Sequence, residues 1–171
     1  MLNGVVTPVV IDMKIIYAKE RIPLYLKNES MIFLAGPTPR RSHGRNMAKS
    51  WRPKAIELFR RYGYDGVLLI PEDRNGSMSG SYQDQIEWEE KGLTLADCIL
   101  FWIPREMKYM PALTTNDEWG TWKASKKVVL GTPPNAEKVR YQRYYAEKYN
   151  VPLSNTLEET VVNSLFMVNF L

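Results

Sequence analysis

The stretch Leu113-Thr114-Thr115-Asn116-Asp117-Glu118-Trp119-Gly120 holds the residues best placed to do chemistry. It follows an apolar run, Cys98 to Ile103, and precedes another, Val128 to Leu130. If the two runs are strands of an open α/β sheet, the segment between them leaves a carboxyl end, where such sheets bind ligands. Glu118 is then expected on the first turn of a helix that faces the main cleft. A carboxylate there can act as a nucleophile or a base. Thr115-x-x-Glu118 is equally a capping box, in which the glutamate does no more than close the helix start. Both readings stand on the residues alone.

Two more groups of residues could meet it. Asp84-Gln85-Ile86-Glu87-Trp88-Glu89-Glu90 has helical spacing: Asp84 and Trp88 share one face, and Gln85 and Glu89 the neighbouring one. A tryptophan among carboxylates can stack on a base or a sugar, or it can be a core residue beneath a solvated acidic face. The second group follows Phe33-Leu34-Ala35-Gly36-Pro37. A glycine after a strand lets a ligand approach the backbone, and the helix beyond offers free N–H groups. From Pro37 to Arg52 the chain carries Arg40, Arg41, Arg45, Lys49 and Arg52 with no acid, which suits a phosphate or carboxylate. A solvated polar loop is the alternative. No Walker loop and no G-x-G-x-x-G is present.

Other chemistries lack their residues. His43 is the sole histidine and lies in the basic loop, so no Ser–His–Asp arrangement is available. Cys98, the sole cysteine, sits in mid-strand, which argues against a thiol nucleophile and excludes an internal disulfide. No cysteine or histidine spacing suits a metal, and no cofactor is expected. Carboxylate chemistry remains.

The 171 residues suit one compact domain, and 44% hydrophobic with 25% charged residues is an ordinary globular balance. No apolar run approaches the roughly 20 residues of a bilayer span. The start lacks a signal-peptide pattern, and with one cysteine a cytoplasmic protein is expected. The net charge of +4 is modest. Its separation into a basic loop and an acidic helix fits a small anionic ligand better than nucleic acid. A nucleic-acid surface built from the arginines with Tyr141, Tyr144 and Tyr145 ranks low, because aromatics at that spacing are more often packing residues.

The positioning elements follow from apolar periodicity. Residues 1–30 read as an extension with two β-prone runs, Val5 to Ile11 and Ile15 to Tyr17, the first broken by Pro8 as at a sheet edge. It could be a hairpin or a dimer arm. Residues 31–171 read as one α/β domain. Its strands are Met31–Ala35, Gly66–Ile70, Cys98–Ile103, Val128–Leu130 and a short fifth at Val151–Leu153. The helices between them are a first capped by Ser50 with Pro53 in its first turn, a second from Tyr82 to Ala96 with Ile86, Leu93 and Ala96 inward, a third after Thr115, a fourth from Ala136 to Tyr149 capped by Asn135, and a last opened by Thr156-x-x-Glu159. Alternation of this kind predicts a flavodoxin-like three-layer sandwich with a four- or five-stranded parallel sheet plus the N-terminal β extension.

Five blocks in this order resemble the nucleoside 2-deoxyribosyltransferase-like family: Phe33-Leu34-Ala35-Gly36-Pro37, Ser50-Trp51-Arg52-Pro53, Trp88-Glu89 with Ala96-Asp97, Phe101-Trp102-Ile103-Pro104, and Thr114 to Gly120. The resemblance covers residues 31 to about 165. It implies cleavage of an N-glycosidic bond, with Glu118 as the sugar-attacking nucleophile and Glu89 handling the base, two carboxyls roughly 5 Å apart as in a retaining glycosidase. At a helix N-terminus Glu118 is expected to stay ionised. Gly36, Pro37, Arg40, Arg41, Arg45, Asp84, Trp88 and Asn116 are the expected substrate contacts. The partner implied is a small nucleoside or nucleotide, without membrane or nucleic acid, and the assembly implied is a homo-oligomer. Two features depart from the family pattern. The first strand has no tyrosine, and Pro111-Ala112-Leu113-Thr114 has no aspartate. Related hydrolases of nucleoside monophosphates hold the phosphate in the loop that is basic here, which leaves that activity and a non-catalytic nucleotide-binding module as alternatives.

Overall fold

The computed structural model describes residues 12–23, 29–42, 45–74 and 81–171. Four apolar runs, β2 (Met31–Ala35), β5 (Val67–Ile70), β6 (Cys98–Trp102) and β7 (Val128–Gly131), are buried at every residue. Continuous apolar runs of this kind are what parallel strands covered on both faces require. Lys14–Tyr17 (β1) and Leu153–Ser154 (β8) complete a six-stranded sheet in the order β1-β5-β2-β6-β7-β8, and all the pairings are parallel. Without β1 this is the 2-1-3-4-5 order of flavodoxin-like folds. Lys14–Tyr17 thus supplies a sixth strand, paired with Val67–Ile70. The run Val5 to Ile11, with Pro8, lies outside the described residues.

Among the described residues five helices cover the sheet: α1 (Arg52–Arg61), α2 (Tyr82–Leu95), α3 (Leu113–Trp122), α4 (Arg140–Lys148) and α5 (Leu157–Met167). Side chains alternate across a strand, so Phe33, Val67, Leu69, Ile99 and Phe101 meet Trp88 and Leu93 of α2, Trp119 of α3 and Ala146 of α4 on one face. Ile32, Leu34, Leu68 and Leu100 meet Ala55 and Phe59 of α1 and Val161 and Leu165 of α5 on the other. On α2 the inward stripe is Trp88, Gly92 and Leu93, while Ile86 is 49% exposed. Gly92 allows that close approach, since a Cβ there would stand 2.8 Å from the Phe33 ring.

Several helix starts differ from expectation. Trp51, in a helical conformation, precedes α1, and Ser50 Oγ instead accepts the Arg52 N–H (3.2 Å) and donates to Glu72 (2.8 Å). The helix α4 opens at Arg140, because Lys138 is left-handed (φ 52°) and breaks the run from Ala136. Ser81 and Asp84 form a capping box on α2. Thr156 caps α5 by accepting the Glu159 N–H (3.1 Å). Part of the basic loop is ordered as a short antiparallel ribbon, β3 (Arg41–Ser42) with β4 (Arg45–Asn46).

Candidate active site

The strand order reverses between β2 and β6, and the chain leaves both strands there to open a cleft of about 520 Å³. One wall begins at Gly36. Its φ of 146° and the Trp102 carbonyl oxygen, 2.2 Å from where a Cβ would stand, admit only glycine. The backbone beyond is tied down by Arg52, which is 1% exposed. Its Nε donates to Leu34 O (3.1 Å), Nη2 to Gly36 O (2.8 Å), and Nη1 to Thr38 Oγ1 (3.1 Å) and the Glu72 carboxylate. A buried guanidinium is tolerable only with its donors satisfied in this way. The Trp51 indole lies under the guanidinium at 4.8 Å and donates to Pro37 O (3.1 Å).

The opposite wall is made by two helices. On α2, Tyr82, Gln85 and Glu89 line the cleft at helical positions i, i+3 and i+7. Gln85 Nε2 donates to Glu89 Oε1 (2.6 Å) and fixes that carboxyl. On α3, Thr115 and Glu118 line it, after Ala112, Leu113 and Thr114 at the helix start. The helix opens three residues earlier than a cap at Thr115 implies. Ala112 precedes it in a left-handed conformation (φ 58°, ψ 42°) with no side-chain cap. Thr115 is buried inside the first turn, and Glu118 lies in the second turn. Glu118 is therefore not a capping residue, and its side chain belongs to the cleft.

Both carboxyls are half-buried and hold their protons more tightly than usual. Burial pushes Glu118 up to about 8, the nearby Glu89 adds to this, and Arg52 works against it. Glu89 is raised by burial too, opposed by the Gln85 hydrogen bond and by Arg52. The expectation that a helix N-terminus keeps Glu118 ionised does not hold, because its second-turn position and desolvation outweigh the helix end.

Of the expected contacts, Gly36, Pro37, Arg40 and Arg41 line this cleft together with Glu89 and Glu118. Arg40 N donates to Tyr109 O (2.8 Å), which joins the β2 loop to the segment after β6. Arg45 lies on β4, where the description extends to its backbone alone, and His43 lies outside the described residues. The other three are not brought to the cleft. Asp84 caps α2 at the surface. Trp88 is 7% exposed, packs on Phe33 at 6.0 Å and donates from Nε1 to Glu20 O (2.8 Å), so its ring is core and unavailable to a base. Asn116 points to the back of α3, where its Oδ1 accepts from Arg105 and from Gln142 (2.7 Å). Arg52, Gln85, Tyr82 and Lys19 also line the cleft. The i, i+4 spacing of Gln85 and Glu89 was the signal for Gln85. Nothing local marked Lys19, which arrives from the turn after β1.

The model of the family described as nucleoside 2-deoxyribosyltransferase like matches residues 29–136, more than half of the chain. The chain belongs to this family. The matched residues carry both glutamates, Arg52 and the β2 loop, whereas β1, α4, β8 and α5 lie beyond them. None of the curated proteins matches the chain. Membership in the nucleoside 2-deoxyribosyltransferase-like family points to glycosyl transfer on a nucleoside or nucleotide. Among the described residues no helix is long and apolar enough to cross a membrane.

Proposed function

We propose that this member of the family cleaves the N-glycosidic bond of a nucleoside or nucleotide through a sugar ester on Glu118. The observation that carries the reading is the convergence of Glu89 from α2 and Glu118 from α3 on one cleft, in the field of the buried Arg52. A Glu118 oxygen forms a bond to the anomeric carbon while the carbon–nitrogen bond breaks. The bonding pair goes to the base nitrogen, which takes a proton from Glu89. A second base or water then attacks the anomeric carbon, gives its proton to Glu89 and frees Glu118. The shared field suits this division of labour. The productive form has Glu118 ionised and a proton on Glu89. Activity is expected to rise as Glu118 ionises and to fall as Glu89 loses its proton, a bell whose two limbs belong to the pair.

The test is a panel of nucleosides and 5′-monophosphates, with and without a second free base. Exchange marks a transferase, and free base with free sugar marks a hydrolase. Glu89→Gln is expected to cost about 10²- to 10⁴-fold in rate, and Glu118→Ala to abolish both turnover and a sugar-mass adduct on the protein. Equal cleavage by Glu118→Ala removes the nucleophile assignment. Binding without cleavage of any member favours a nucleotide-binding module.

Hydrolysis of 5′-monophosphates is the second reading, favoured by Lys19, Arg40 and Arg41 in the lining of the cleft. It predicts a preference for monophosphates that weakens with salt and with Arg40→Ala. A homo-oligomer in solution is part of the same proposal.

A further inference from the structure

The reading of the cleft as a glycosidic site leaves open what holds the base. Trp88 is buried in the core, and neither the tyrosine nor the aspartate expected from the family pattern is present. Two large apolar side chains nevertheless line the cleft and are mostly exposed among the described residues. Tyr82, on the first turn of α2, is 68% exposed, and Leu113, the first residue of α3, is 64% exposed. Apolar surface of this size lining a concave site is an unfilled contact. We propose that Tyr82 and Leu113 form the nucleobase subsite and hold the flat ring of a purine between an aromatic and an aliphatic side chain. This rests on the glycosidic reading above.

Helix geometry supports the spacing. Tyr82 precedes Glu89 by seven residues and Leu113 precedes Glu118 by five. At the helical rise these intervals are about 10 Å and about 7.5 Å. On α2 the ring and the carboxyl share a face, seven residues being close to two full turns, and stand about the reach of a nucleoside apart; on α3 the five-residue interval turns Leu113 about 140° from Glu118, and Leu113 reaches the cleft as the first residue of the helix. With the anomeric carbon at the two carboxyls, the base extends to the rim. Arg40 and Arg41 line the cleft from the β2 loop, which leaves the 5′ end of the sugar to them. A ring and an aliphatic chain select by area rather than by hydrogen-bond pattern. Purines are thus preferred to pyrimidines, with tolerance for substituents on the ring edge.

The two side chains are mostly exposed and separate from the core, so their truncation leaves the fold intact. Adenine and cytosine are titrated into wild type, Tyr82→Ala, Tyr82→Phe and Leu113→Ala by calorimetry. Wild type is expected to bind adenine more tightly than cytosine. Each alanine variant is expected to weaken adenine binding about 5- to 100-fold, and Tyr82→Phe to retain it, because the ring and not the hydroxyl makes the contact. Where a nucleoside is turned over, the alanine variants raise KM and keep kcat. Free-base binding needs no bond cleavage, so loss of adenine affinity in the variants supports the subsite even if no nucleoside is ever cleaved. Normal cleavage with unchanged KM and unchanged adenine affinity overturns the subsite and leaves the glycosidic reading standing. A change of sedimentation in place of affinity also overturns it, by assigning the pair to contact between copies.

Discussion

Glu118 has an ordinary value of 4.5 and is raised to about 8 in the folded protein. On raising the pH the unfolded chain loses this proton first. The folded-state advantage of the protonated carboxyl is whole below 4.5, is eroded between the two values and is gone above about 8. Glu118→Gln, neutral throughout, is therefore expected to match wild type in stability near pH 5 and to exceed it near pH 9, by an amount on the order of a few kcal/mol. Thermal unfolding at both pH values measures this, and an equal Tm difference at each would contradict it. Both glutamates lie in the cleft lining, and it was the order of the family-like blocks, more than helical spacing, that singled them out in the sequence. Arg52 was visible as one more basic residue and as part of the Ser50-Trp51-Arg52-Pro53 block, with no role attached. Its role depends on β2 and its loop folding back over the start of α1, which no local pattern records. Trp88 was misplaced for the same reason: helical spacing shows which residues share a face and not which face the sheet covers.

At the scale of the element, α3 is held without a side-chain cap. Asn116 substitutes for one from behind. It accepts from Arg105, a buried residue of the segment after β6, and from Gln142 of α4, and Arg105 Nη1 also donates to Lys138 O (2.7 Å). The face of the helix opposite the cleft is thereby hydrogen-bonded to its neighbours. Asn116→Ala leaves two buried donors without their acceptor and is expected to cost about 1–3 kcal/mol. Because Glu118 and Leu113 ride on the same helix, kcat and base affinity are both expected to fall. Urea unfolding and steady-state kinetics read the two effects separately, and a variant with full stability would show that the link does not matter. Thr115-x-x-Glu118 suggested a different start for α3, since the motif is common at helix ends. Burial of Thr115 and the left-handed turn at Ala112 prevailed over that local preference.

The whole molecule was legible as a parallel sandwich because four strands are apolar throughout and glycine or proline punctuates the ends. The position of Lys14–Tyr17 was not, since nothing in those residues names the edge they join. Their place matters for the cleft. The turn after β1 brings in Lys19, Ala18 N donates to Glu72 O (3.1 Å), and Glu20 O accepts from Trp88. Removal of residues 1–20 is expected to uncover the β5 edge, promote association and reduce activity together. Light scattering and turnover test this, and a fully active truncation of unchanged assembly would refute it. Arg52 has a further consequence at this scale. It grips the loop mainly through the carbonyl oxygens of Leu34 and Gly36, atoms that every residue type possesses. The anchor is indifferent to the side chains at Pro39, Arg40 and Arg41, so mutation can rewrite them one at a time while the backbone holds its course. Evolution can thus retune what this enzyme family accepts without first having to rebuild the machinery beneath.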